Sequence, residues 1–90
     1  MKARILRLRE LAVGVGDAAI PVIRVHFSTE GFPPRNVWID KTKFSLQAVK
    51  DFIKADMESY FNAKVEKVEV ENWEDWADWV AQATKPSGKS

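Results

Sequence analysis

The sequence predicts a single α+β domain with the order β-β-β-α-β-α and a four-stranded mixed sheet, the main helix packed on one face. Three observations carry that expectation. Ninety residues without a cysteine make one domain that must fold on its apolar core, with no disulfide framework. The first forty or so are rich in β-branched and aromatic residues, broken by glycine and proline. From Ser45 the apolar spacing changes to a helical one, and a second helical stretch follows a short run of alternating valines.

Lys2 to Ala12 reads as the first strand, with Ile5, Leu6, Leu8 and Leu11 apolar and arginines at 4, 7 and 9. The apolar parity changes between Ile5 and Leu6, which signals a bulge or a strand covered on both faces. Val13 to Asp17, with two glycines and an aspartate, supplies a hairpin turn. Ala19 to Ser28 is the second strand, and Pro21 belongs at its start or on an edge because it cannot donate to a ladder. Its apolar residues again fall on both parities, which points to cover on the second face by the C-terminal helix or another copy of the chain. Thr29 to Arg35, with Pro33 and Pro34, reads as a loop, and Asn36 to Lys41 as a short third strand.

Ser45 suits a helix N-cap, and Phe44 and Val49 are placed for a hydrophobic staple. The helix runs to about Phe61, with Leu46, Val49, Ile53, Met57 and Tyr60 on one arc and Asn62 as its terminator. Val65 to Glu71 reads as the fourth strand. Asn72 then caps a second helix running to about Ala83, and residues 85–90 form a polar tail expected to be disordered, leaving 1–84 as the domain. The main helix returns the chain across the sheet by a right-handed crossover, so strand four lies parallel to a partner. Charge favours strand one and the order 4-1-2-3: Arg7 and Arg9 would face Glu66, Glu69 and Glu71, each contact worth about 0.2–1 kcal/mol.

Net charge is only +1, but residues 1–45 carry eight Lys/Arg against four Asp/Glu, while 46–90 carry six against nine. Nothing approaches a membrane-spanning run, and the charged N-terminal stretch does not read as a signal peptide, so a cytoplasmic location is expected. Gly14-Val15-Gly16-Asp17-Ala18-Ala19 matches G-x-G-x-x-A, but strand residues follow where a dinucleotide site needs a helix N-terminus. His26 has no second imidazole or thiol to share a metal. No cofactor, metal or membrane partner is expected. Asp56 falls within the apolar arc of the main helix and calls for a basic partner, with Arg24 a candidate. An enzyme would need Asp56, His26 and a further carboxylate gathered in one cleft.

Two surfaces remain. Residues 65–80 hold three of the four tryptophans and six carboxylates. Trp73, Trp76 and Val80 form the packing side of the last helix, while Trp79 lies at the arc's edge beside Asp75 and Asp78, the composition of a protein-binding hot spot. The first reading is therefore a small non-enzymatic protein-interaction module of accessory or inhibitor type, with homodimerisation among its modes. Its contact surface is Trp79, Asp75 and Asp78, or the sheet face around Trp38. Small size and the lack of a signature also suit a viral or mobile-element accessory protein. The alternative is single-stranded nucleic-acid binding through Arg4, Arg7, Arg9, Arg24 and Arg35, with aromatic platforms for the bases.

Overall fold

In the computed structural model, which describes residues 1–85, Lys2–Val13 (β1) and Ile20–Thr29 (β2) form a long antiparallel hairpin. Phe32–Asp40 (β3) pairs antiparallel with β2. Leu46–Tyr60 (α1) crosses the sheet, Glu69–Val70 (β4) pairs parallel with β1, and Trp73–Ala83 (α2) ends the domain. The strand order is β3-β2-β1-β4, the expected arrangement. Residues 86–90 of the expected disordered tail lie outside the described residues. No helix among the described residues is long and apolar enough to cross a membrane.

Alternation puts Ala3, Ile5 and Leu8 of β1, Ile23, Val25 and Phe27 of β2, and Val37 and Ile39 of β3 into one buried layer with Val49, Ile53 and Met57 of α1. Full burial of an aliphatic side chain of this size contributes about 1.5–3 kcal/mol. The parity change in β1 is a bulge: Ile5 pairs with Phe27 and Arg7 with His26, so Leu6 is the extra residue and is 43% exposed. The Ser45 hydroxyl accepts from the Ala48 N–H at 3.0 Å, capping α1 as expected. Asn62 takes φ 55° just beyond α1, and the Ala63 N–H donates to the Met57 carbonyl, closing the end of the helix.

Several details depart from expectation. β3 begins at Phe32, so both prolines lie in the strand; as an edge strand it tolerates their missing donors. β4 has only two residues, since Val65 and Val68 are buried three positions apart and the chain does not alternate until Glu69. The strand order is as expected but not for the expected reason. β4 meets β1 only at Lys2 and Ala3, so Arg7 and Arg9 do not face Glu66, Glu69 and Glu71. α2 packs on the core through Trp73, Trp76, Trp79, Val80 and Ala83, all only partly buried, and Trp79 does not stand apart from the other two tryptophans.

Asn72 is not the side-chain cap expected. Its side chain makes no capping bond to α2; instead Oδ1 accepts from the Ile5 N–H at 2.8 Å and Nδ2 donates to the Ile5 carbonyl at 2.7 Å. The amide thereby extends the β4–β1 ladder by one step, in place of backbone that has already turned into the helix.

Gly14 has φ +116°, and a Cβ built there would lie 2.8 Å from the Ala18 carbonyl oxygen, whereas one at Gly16 (φ +59°) meets nothing within 4 Å. Gly14→Ala is therefore expected to destabilise by about 1–3 kcal/mol and by more than Gly16→Ala, as read from urea unfolding midpoints. Asp40 accepts from the Thr42 hydroxyl at 2.7 Å and the Thr42 N–H at 2.9 Å. The hydroxyl first, then the amide, hold its carboxyl below the usual 3.8. A folded-state value depressed in this way adds stability above 3.8 that disappears as pH falls through the lowered value. The stability advantage of the protein over its Asp40→Asn variant should be present at neutral pH and shrink below about pH 4.

Candidate nucleic-acid interface

With Ile23, Val25 and Phe27 turned to the core, β2 must present Val22, Arg24, His26 and Ser28 on its other face. Register carries this pattern across the sheet. Arg9 pairs with Arg24 and Arg24 with Trp38, forming one row across three strands. Arg7, His26 and Asn36 form the next row, and Arg4 with Ser28 the one after. Neighbours within a row are about 4.8 Å apart, and rows about 7 Å apart. Arg4, Arg7 and Arg9 are exposed, Trp38 is 52% exposed, and Arg24 and His26 are half-buried. α2 packs against the core cluster and does not cover this second face, contrary to one of the expectations from strand parity.

The arginines of this face are not neutralised. The ion pairs among the described residues are Arg35–Asp56, Lys41–Glu10 and Lys54–Glu58, and Arg4, Arg7, Arg9 and Arg24 belong to none. Arg9 and Arg24 stand directly opposite each other, a like-charge pairing that opposes folding. Arg35 differs from the other four. Its odd position in β3 turns it toward α1, where Nε and Nη2 donate to Asp56 at 2.9 and 2.8 Å, and its guanidinium lies 3.6 Å over the Tyr60 ring. The hydrogen bond to Asp56 raises the Arg35 pKa further. Arg35, not Arg24, is thus the partner of Asp56, because Arg24 points through the opposite face.

That same division separates Asp56 from His26, on opposite sides of the sheet, so the cleft an acid–base pair would require is not formed by these two residues. The glycines of the G-x-G-x-x-A match lead through a 3-10 turn at Gly16–Ala18 into β2, with no helix N-terminus beside them. Asp75 and Asp78 on α2 are exposed and unpaired with any described residue, and Trp79 is partly exposed beside them. Asn36 had no distinguishing signal apart from sharing the parity of Trp38; register makes it the neighbour of His26.

No protein-family model matches the chain, and comparison with curated proteins and with solved structures finds no match.

Proposed function

We propose that the chain is a non-enzymatic binding module that holds a single-stranded nucleic acid across the open face of its sheet. The observation that carries this is four unpaired arginines gathered with an exposed tryptophan on one face, two of them in its own row. A basic surface tracks the phosphates while an aromatic side chain stacks an unpaired base, the combination that single-strand binders use. A broad sheet face does not enter a duplex groove, which admits a helix or a two-stranded ribbon. Two copies stacked on this face would set arginine against arginine, which disfavours self-association there.

Titration of a labelled oligonucleotide of about 12 residues, followed by anisotropy, tests the reading. Affinity should fall steeply as salt rises. No binding even at low salt rejects it.

A second reading, a protein-interaction module contacting a basic partner through Trp79, Asp75 and Asp78, is favoured by the exposure of the two carboxylates without partners. It uses a different surface. Asp75→Lys/Asp78→Lys should abolish capture of that partner and leave oligonucleotide binding intact.

A further inference from the structure

We propose that the groove between β3 and α1 receives a nucleobase of the strand held on the sheet. The inference rests on the nucleic-acid reading above and adds to it a defined base site. The groove has a volume of about 360 Å³ and is lined on the β3 side by Asn36 and Trp38 and on the α1 side by Phe52, Ala55, Asp56 and Ser59. Positions 52, 55, 56 and 59 form one helical stripe, so α1 presents them together along the edge of the sheet. Trp38 is 52% exposed and Phe52 43%, although the core is complete without either. Trp38 lies at the open-face rim of the edge strand β3 and Phe52 at the α1 rim, so a flat apolar ligand lapping over the sheet edge meets an aromatic surface at each rim of the groove.

The polar lining suits the edge of a base. The Asn36 amide and the Ser59 hydroxyl take part in none of the side-chain hydrogen bonds among the described residues, so a donor–acceptor pair and a hydroxyl are open to a ligand there. Asp56, with both oxygens held by Arg35, does not bring an uncompensated negative charge to the site. The groove is continuous with the basic face, because Trp38 stands in register beside Arg24 and Arg24 beside Arg9. A strand whose phosphates lie on those arginines reaches the groove at its next base. Charge complementarity selects nucleic acid over an uncharged aromatic ligand as the occupant.

The test uses the full chain, a thymidine oligomer of about 12 nucleotides, and an oligomer of the same length whose sites are all abasic. The abasic strand should bind the unmodified protein at least about fivefold more weakly than the thymidine strand. Trp38→Ala and Phe52→Ala should each weaken thymidine binding by about fivefold or more while changing abasic binding less than about twofold, and Trp38→Phe should retain most of the affinity. Both side chains are surface-exposed, and circular dichroism would verify that each variant folds. If Phe52→Ala leaves thymidine binding unchanged, the groove site is overturned even where Trp38→Ala weakens binding, and the sheet-face reading stands. If neither strand binds the unmodified protein, both fail.

Discussion

Asn72→Ala is expected to destabilise the domain by about 2–5 kcal/mol, read from the urea midpoint at neutral pH. The residue is 9% exposed, and its amide satisfies both the N–H and the carbonyl of Ile5. Alanine leaves two buried backbone groups without partners, each worth about 1–3 kcal/mol. A domain of this length is stable by only about 5–13 kcal/mol in total, so the variant should lose a substantial share of it. Asn72→Asp distinguishes this role from helix capping. Aspartate is as good an N-cap as asparagine and would be tolerated if capping mattered. Here its carboxylate can accept from the Ile5 N–H but faces the Ile5 carbonyl without a proton to donate. The variant should therefore be badly destabilised at neutral pH. Such a buried carboxyl has a raised folded-state pKa, so stability should recover as pH falls through that value and the acid form donates.

The triple variant Arg7→Ala/Arg9→Ala/Arg24→Ala is expected to lose oligonucleotide binding while keeping its fold. Each phosphate contact on a single strand contributes about 0.7 to the slope of log affinity against log salt. The four arginines of the face predict a slope near −3, and removing three should leave about −1, with affinity at low salt down by about a hundredfold or more. Unfolding free energy should change by no more than about 0.5 kcal/mol for each substitution, the range of surface positions. A small gain is expected from relieving Arg9 against Arg24. A large loss of stability with unchanged binding would mean that these arginines serve the fold.

Much of the architecture was legible because it rests on local periodicity. The Ile5–Leu6 parity break narrowed β1 to a bulge or a doubly covered strand, the Ser45 cap and the Val49, Ile53, Met57 spacing marked α1, and the crossover length returned the chain to the sheet, while the choice of β1 as the partner of β4 rested on a charge pairing that does not form. What was not legible depends on partners far along the chain. Arg24 and Arg35 look alike in sequence, and only strand register sends one to the open face and the other to Asp56. Asn72 reads as a helix cap because an asparagine before a helix usually is one; the demand of Ile5, 67 positions away, is invisible locally. The tryptophan spacing revealed the packing side of α2 but not how shallowly it packs, since half-burial depends on how far the helix overlaps the sheet. For the site, the basic residues were legible as a set and their gathering into rows was not.

The brevity of β4 has a consequence for solution behaviour. β1 runs to Val13, yet its outer side is paired only at Lys2 and Ala3, with Asn72 serving Ile5. From Leu6 onward no strand among the described residues occupies that side, leaving backbone donors and acceptors ready to template another strand. Arg7 and Arg9 sit on this stretch and repel a second copy approaching in the same way. The residues assigned to grip phosphate thus also act as gatekeepers against fibrous edge-to-edge growth. Neutralising them, by substitution or by a bound polyanion, should make the protein more prone to precipitate as its concentration rises.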